Sequence, residues 1–314
     1  MLGWLKKKPV IWLVSDGTDN IVQSRELAKN LTKPQYIYEF TRLNANSNFE
    51  FPDIAVGVGY NIADILISLK ERSKNKTKII SILDPLKNQS DFDYIILPSY
   101  EPYKINSGNI IYSRGLINYI NPRFLEKVKK DKKFKFFNEF KLKPPFTTLI
   151  LGGRHTGGNV SEEDVEILAE RLNQIITHKG GTILISSSRR TEAKTIARLK
   201  EKLHAPFYFY DYSERKIENP YNYFLAISDE IIVTGDSVRM MCEAVSSGKK
   251  IRIFKPKMLG FQYYSLIDEF IKNNNAIDLM DKNFDTKPFS TQLINEAKRI
   301  AEIIKLSFAN KKSV

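Results

Sequence analysis

Short apolar runs alternate along the chain with longer stretches in which apolar residues recur at helical spacing. The runs are residues 10–14, 36–40, 54–58, 79–83, 94–97, 109–113, 147–151, 182–186, 207–210, 230–233 and 251–254. Each has the length of a buried strand, and segments such as 20–31, 161–176 and 191–203 between them have the periodicity of helices. Strands that alternate with helices predict an α/β fold built on parallel sheets.

The alternation stops at residues 141–145, where the sequence is KLKPP. Paired prolines cannot continue a helix, so we predict a domain boundary there. A chain of 314 residues is long enough for two α/β domains. We assign residues 1–145 to an N-terminal Rossmann-like domain, 146–286 to a C-terminal one and 287–314 to a closing helix.

The formal net charge of +13 is uneven along the sequence. Residues 1–146 hold 24 Lys and Arg against 15 Asp and Glu, whereas the remainder holds 25 against 21. Much of the excess lies in residues 126–143, where lysines alternate with Phe134, Phe136, Phe137 and Phe140. Two interpretations stay open. The segment contacts an anionic membrane surface or nucleic acid, or it is the solvated face of an amphipathic helix.

Several classes of protein are not expected. No apolar run approaches the roughly 18 residues of a membrane span, and the first residues lead too quickly into a strand for a signal peptide. We therefore expect a cytoplasmic protein, with peripheral contact at the inner face of a membrane as an option. Cys242 lies in an apolar helical face and is expected to be a buried structural thiol. Three scattered histidines predict no metal site.

Four polar loops of the C-terminal half follow predicted strands, so they should meet at one edge of the sheet. They are residues 152–158, 186–191, 218–221 and 234–237. Gly152 and Gly153 permit close approach of a ligand to the backbone. Arg189 and Arg190 follow three serines that end at Ser188, and offer forked donors for phosphate. The loops predict a ligand that carries phosphate.

Residues 231–250 form the most informative of these segments. An apolar strand is followed by a turn and by a helix that begins at Asp236 or Ser237, so the helix aims its unpaired N–H groups at the strand tip. Thr234 adds a hydroxyl, and Glu243 falls on the same helical face two turns later, within reach of a sugar ring. This arrangement predicts a nucleotide-sugar pocket. The alternative is an ordinary αβ unit in which Asp236 or Ser237 is a plain N-cap.

The motifs together carry a resemblance. They are SDG at 15–17 with Gln23, GG at 152–153, SSSRRT at 186–191, NPY at 219–221 and TGDSVRMMCEAVSSGK at 234–249. In this combination the chain resembles, over nearly its whole length, the mitochondrial-fission "elongated mitochondria" family of plants and its bacterial relatives. That family is similar in fold to GT-B glycosyltransferases, near the transferase that adds N-acetylglucosamine to the lipid-linked peptidoglycan precursor.

The resemblance implies two Rossmann-like domains that face a cleft, with a last helix that returns to the first domain. It also implies that the C-terminal domain holds a nucleotide-diphosphate sugar. Glu243 is then expected to bind the ribose hydroxyls, while Asp236 and Ser237 meet the diphosphate and the NPY motif contributes Asn219 and Tyr221. The plant members are described as adaptors that bring a dynamin-related GTPase to mitochondria.

We therefore expect a metal-independent glycosyltransferase that needs no cofactor, with a nucleotide sugar as substrate and an acceptor at the cytosolic membrane face. An inverting enzyme of this type needs a general base, for which Asp16 is the first candidate and Asp19 and Glu101 follow. Asp16 beside Gly17 is equally typical of an Asx turn. The relatives' Gly-rich stretch and His-Asp pair are replaced here by residues 18–20 and 98–101. A non-catalytic adaptor with a protein partner is the alternative function, and nucleic-acid binding is the third.

Overall fold

The computed structural model describes residues 8–15, 21–40, 50–101, 107–155, 157–214, 217–282, 286–290 and 294–310. The strands are β1 Ile11–Val14, β2 Ile37–Phe40, β3 Ile54–Val58, β4 Lys78–Ile82, β5 Tyr94–Pro98, β6 Ile110–Ser113, β7 Phe146–Ile150, β8 Gly158–Asn159, β9 Thr182–Ser186, β10 Phe207–Tyr210, β11 Glu230–Thr234, β12 Lys250–Phe254, β13 Met258–Leu259 and β14 Ile277–Asp278. The α-helices are α1 Ile21–Leu31, α2 Ala63–Arg72, α3 Pro122–Lys129, α4 Glu162–Lys179, α5 Ala193–Lys202, α6 Tyr221–Ile227, α7 Val238–Ser246, α8 Phe261–Lys272 and α9 Glu296–Asn310.

The chain forms two compact units. Unit 1 comprises Met1–Tyr119 and Asn295–Val314, and unit 2 comprises Ile120–Ile294. Each is built on a parallel sheet of six strands, so the α/β fold expected from the alternation of strands and helices is confirmed. The division between the units falls earlier than the KLKPP sequence.

Unit 1 has the strand order β2-β1-β3-β4-β5-β6. Strands β1, β3, β4 and β5 are almost wholly buried, because helices cover both faces of a parallel sheet. On one face α1 and α9 pack together, and Ile300 and Ile304 of α9 join Leu27 of α1 in the core. The hydroxyl of Tyr94 donates to Ser307 Oγ at 2.5 Å, which adds a polar link between β5 and α9.

Unit 2 has the order β10-β9-β7-β11-β12-β14. Read by position along the chain this is the 3-2-1-4-5-6 order of dinucleotide-binding folds. Ile277 and Asp278 pair beyond β12 as a sixth strand that is too short to give a sequence signal. β8 and β13 form a separate antiparallel pair beside the main sheet. A capping box formed by Ser161 and Asp164 starts α4.

The Lys- and Phe-rich segment differs from a single amphipathic helix. α3 ends at Lys129, and a 3-10 helix follows over Lys132–Phe140. Phe134 and Phe137 are buried with Tyr210 and Phe224 in a core cluster of unit 2. These two rings are therefore unable to insert into a membrane, and their burial explains why the segment belongs to unit 2.

The division also changes how the charge is shared. Unit 1 contains 20 Lys and Arg against 14 Asp and Glu, and unit 2 contains 29 against 22. The net charges are thus +6 and +7, so the excess of positive charge is not concentrated in the first unit.

Candidate functional site

The strand order of unit 2 reverses between β7 and β11, and the predicted ligand loops follow these two strands. Thr234 Oγ1 accepts a hydrogen bond from the N–H of Gly152 at 2.8 Å, and Asp236 Oδ2 accepts one from Gly153 at 2.7 Å. Both side chains are fully buried. Thr234 and Asp236 therefore hold the glycine loop in place, and neither presents its side chain to a ligand.

The two glycines are required by packing within the protein. A Cβ atom on Gly152 would lie 2.1 Å from Asp236 Oδ2, and one on Gly153 would lie 2.1 Å from the carbonyl oxygen of Arg190. The close backbone approach expected of this loop is thus made to neighbouring protein groups.

Residues 188–191 form the second loop at this edge. Thr191 Oγ1 donates to the carbonyl of Gly152 at 2.5 Å and accepts from the N–H of Ser188 at 2.8 Å. Arg189 is exposed, whereas Arg190 is half-buried and its Nη2 lies 3.4 Å from Ser237 Oγ. Of the two adjacent arginines, only Arg190 is thus seen to reach the start of α7.

The N-terminus of α7 lies at the centre of this group. Ser237 occupies the N-cap position but gives no side-chain hydrogen bond to the helix among the described residues. The N-cap position proposed for Ser237 is therefore confirmed, but without the side-chain hydrogen bond that usually accompanies it. The first N–H groups of α7, with the positive end of its dipole, remain without a side-chain cap beside the guanidinium of Arg190.

Burial raises the pKa of Asp236 above its ordinary value, and the hydrogen bonds from Thr234 and Gly153 oppose this only in part. The cause is desolvation of the charged form, since the carboxyl group has no contact with water. Burying a carboxyl group in this way costs folding free energy.

Glu243 lies further along α7 and is 6% exposed. The hydroxyl of Tyr221, at the start of α6, donates to Glu243 Oε2 at 2.7 Å, and the N–H of Tyr221 donates to Asn219 Oδ1 at 2.9 Å. Burial raises the pKa of Glu243, and the Tyr221 bond opposes the rise. Oε1 makes no hydrogen bond within the described part of the chain, so it has acceptor capacity for another group.

Two residues of the site were missed by the sequence analysis. His155 Nδ1 accepts from the N–H of Gly157 at 2.9 Å, so the ring proton is on Nε2, which donates to the carbonyl of Asp236. The hydroxyl of Tyr263, from α8, lies 3.4 Å from Nδ1. The histidine of GGRHTGG was visible as a loop residue, but no local signal links it to a tyrosine 108 positions away.

The candidate general bases belong to unit 1. Asp16 and Asp19 lie outside the described residues. Glu101 follows β5 and is half-buried. Burial raises its pKa, and the nearby charge of Asp84 raises it further.

Among the described residues, no group of three or more His, Cys, Asp and Glu side chains is placed to hold a metal ion. No helix in these ranges has both the length and the apolar character needed to cross a bilayer. Cys242 is buried in α7, as expected.

Comparison with known proteins supports the resemblance. A model of the mitochondrial fission ELM1 family matches residues 6–308. An uncharacterized protein of Rickettsia prowazekii is 30% identical over 289 residues, which cover 83% of this chain and 81% of that protein. The mitochondrial fission protein ELM1 of Arabidopsis thaliana is 21% identical over 226 residues, covering 64% of this chain and 51% of that protein.

Among solved structures, the glycotransferase of kitacinnamycin aligns with a TM-score of 0.51 and 9% identity, over 96% of this chain and 99% of that one. The likeness shows that the fold is of the GT-B glycosyltransferase class. The family match covers nearly the whole sequence, and the chain belongs to the mitochondrial fission ELM1 family.

Proposed function

We propose that unit 2 binds a nucleotide-diphosphate sugar and that the protein is a metal-independent glycosyltransferase. The observation that carries the proposal is the start of α7, where uncapped N–H groups and the half-buried guanidinium of Arg190 lie together. Helix N-termini bind phosphate through N–H groups and the helix dipole, and Arg adds forked charge-assisted donors.

Glu243 is placed to bind the ribose that is attached to this phosphate. Its buried carboxylate keeps Oε1 as an acceptor, and the hydroxyl of Tyr221 fixes the orientation of the group through Oε2. A carboxylate held in this way suits the hydroxyl groups of a sugar, since it accepts two hydrogen bonds without rearrangement.

In the proposed reaction a carboxylate that acts as general base takes the proton of the acceptor hydroxyl. The acceptor oxygen then forms a bond to the anomeric carbon as the bond from that carbon to the diphosphate breaks. Arg190 and the α7 dipole stabilise the charge on the leaving diphosphate, which is why no metal is invoked. Of the three candidate bases, Glu101 lies within the described residues. Its raised pKa makes the carboxylate a better proton acceptor near neutral pH.

A thermal-shift panel of UDP- and GDP-sugars tests the proposal. A donor at a hundredfold its Kd stabilises the folded protein by about 2.7 kcal/mol, and so raises the melting temperature of unit 2 by several degrees. Arg190→Gln and Glu243→Gln should abolish this gain, and Arg189→Gln should reduce it less. Arg198→Gln is the matched control and should keep the gain in stability. Arg198 lies on α5 and pairs with Glu166 of α4.

The family match favours a second candidate function, a non-catalytic adaptor. The Arabidopsis relative is named for mitochondrial fission, and the model of that family matches residues 6–308 of this chain. An adaptor should show no thermal response to any donor in the panel while still binding a protein partner. Indifference of the wild-type protein to every nucleotide sugar would therefore replace the transferase with this candidate.

A further inference from the structure

Almost all of the excess positive charge of unit 2 is concentrated in residues 120–145, which we call the basic segment. It contains nine Lys and Arg against three Asp and Glu, whereas the rest of unit 2 contains 20 against 19. Six of its lysines are exposed and take part in no ion pair within the described residues. They are Lys127, Lys129, Lys130, Lys132, Lys141 and Lys143.

Aromatic packing fixes the basic segment on unit 2. The rings of Phe134 and Phe137 stack on Tyr223, with centroids 4.7 Å and 5.3 Å away. Phe140 contacts Phe137 at 6.0 Å between centroids, yet it remains 48% exposed. The segment thus presents its lysines from a folded surface, with one large apolar side chain among them.

A cavity of about 400 Å³ opens beneath the segment. Its walls are mainly apolar, and its lining residues are Phe137, Leu142, Pro144, Phe146, Tyr223, Ile227, Lys129 and Asp229. Asp229 Oδ2 accepts the N–H of Phe146 at 2.7 Å, so this carboxylate is already engaged by the backbone. Burial lowers the pKa of Lys249 and the charge of Lys129 lowers it further, while the charges of Asp229 and Glu126 oppose the change.

An apolar cavity with lysines at its margin fits an amphiphile whose polar end is anionic. We propose that the basic segment binds anionic lipid in a bilayer, with its lysines on the head groups, Phe140 in the interfacial layer and the cavity open to part of an acyl chain. Lysine clusters near a membrane are attracted to anionic lipid as point charges. Nucleic acid fits this surface less well for two reasons. Recognition of bases and phosphates favours arginine, whereas the basic segment has eight lysines and one arginine, Arg123. An apolar cavity also offers nothing for a nucleic acid to bind.

This surface is separate from the donor site, since no residue of the basic segment takes part in the contacts around α7 described above. The inference therefore goes beyond the proposed transferase and does not depend on it. A variant that loses lipid binding should still respond to a nucleotide sugar that stabilises the wild-type protein.

Co-sedimentation with vesicles tests the proposal. The full chain should bind phosphatidylcholine vesicles that contain phosphatidylglycerol, and should bind pure phosphatidylcholine weakly. Each lysine near the surface contributes about fivefold to partitioning, so Lys130→Gln/Lys132→Gln should lower the partition coefficient roughly 25-fold. Lys194→Gln/Lys272→Gln makes the same change of net charge elsewhere on unit 2 and should lower it much less.

The apolar contribution is measured separately. Phe140→Ala should lower partitioning by roughly tenfold, because half-exposed aromatic surface is no longer buried in the interface. Phe140→Trp should keep binding, and brominated acyl chains should quench its fluorescence above the background of Trp4 and Trp12. Leu142→Phe, which narrows the cavity, should weaken binding while the melting temperature stays near that of the wild type.

Three results would overturn the proposal. One is equal binding to vesicles with and without phosphatidylglycerol, and another is an equal loss in the two double-lysine variants. The third is displacement of the protein from vesicles by duplex RNA, together with weaker RNA binding by the Lys130→Gln/Lys132→Gln variant. This result would assign the surface to nucleic acid.

Discussion

The two parallel sheets reverse their strand order at different places and fill the resulting crevices differently. In unit 2 the reversal lies between β7 and β11, and the buried polar side chains of Thr234 and Asp236 hold the glycine loop there. In unit 1 it lies between β1 and β3. At Gly57 of β3 the nearest side chains are the apolar ones of Ile62 and Leu66.

The contrast shows how one sheet architecture gives two kinds of crevice. Around Gly57 in unit 1 the contacts are apolar, and Gln23 Oε1 and Ser24 Oγ of α1 are buried without a hydrogen-bond partner among the described residues. In unit 2 buried polar groups must be satisfied one by one, and an error in any of them leaves a desolvated donor or acceptor. Buried polar geometry of this kind is typical of sites that position a charged ligand. Its presence in unit 2 agrees with the proposed donor site there.

The largest expected difference between the units concerns buried charge. Glu230, at the start of β11, contacts the wholly buried Arg252 and lies 2.9 Å from Lys179 Nζ. Glu230→Gln should lower the free energy of unfolding by about 3–5 kcal/mol, because the Arg252 charge loses its buried counter-ion.

Asp93→Asn is the matched change in unit 1, where Asp93 lies 3.2 Å from Lys70 and 3.0 Å from Lys78 in a more exposed setting. We expect a loss of about 1 kcal/mol. Urea unfolding followed by circular dichroism measures both variants, and equal losses would remove this distinction between the sheets.

An intermediate effect is expected at the glycines of the two crevices. A Cβ at Gly153 meets backbone, the Arg190 carbonyl, whereas one at Gly57 meets Ile62 Cδ1 at 2.3 Å, the movable end of a side chain. Gly153→Ala should therefore cost about 3 kcal/mol or more, and Gly57→Ala about 1 kcal/mol. Thermal unfolding of the two variants measures which loses more stability. A larger loss in Gly57→Ala than in Gly153→Ala would contradict the packing argument.

The smallest effect is a dependence on pH. Burial raises the pKa of Asp236 above its ordinary 3.8, so the folded protein keeps this proton at pH values where the unfolded chain has lost it. Its contribution to stability therefore falls as the pH rises from 3.8 through the folded pKa. Asp236→Asn should be more stable than the wild type at pH 7, on the order of 1 kcal/mol, and the gain should vanish towards pH 3.8.

Glu101→Gln gives the corresponding test in unit 1. The pKa of Glu101 is raised by burial and by the charge of Asp84. The contribution of Glu101 to stability should therefore also fall as the pH rises above its ordinary pKa of 4.5. Because Glu101 is only half-buried, water screens its charge and we expect a smaller gain. Unfolding curves at several pH values compare the two, and a pH-independent gain in Asp236→Asn would contradict the assigned cause.

The sequence was most informative where a local pattern has one physical outcome. Apolar runs predicted both sheets, and strand ends predicted that the loops containing Gly152, Arg190 and Ser237 would meet. Long-range packing was not predictable in this way. Phe134 and Phe137 resemble an exposed amphipathic face until the ring of Tyr223, far along the chain, is placed beside them.

The same limit applied to individual side chains. Spacing placed Glu243 on the correct helical face, but only coordinates pair it with Tyr221. Thr234 and Asp236 were assigned to the ligand because polar residues at a strand tip are typical of binding loops. Their burial shows that such residues also serve as internal supports, a distinction that residue type alone does not make.

The imidazole of His155 has its proton assigned by two main-chain groups, one on each nitrogen. A ring held in this way works as a strut between Gly157 and the turn that precedes α7. Without the imidazole, the N–H of Gly157 and the carbonyl of Asp236 would each lose a hydrogen-bond partner, and the side-chain link between these two parts of the chain would be gone.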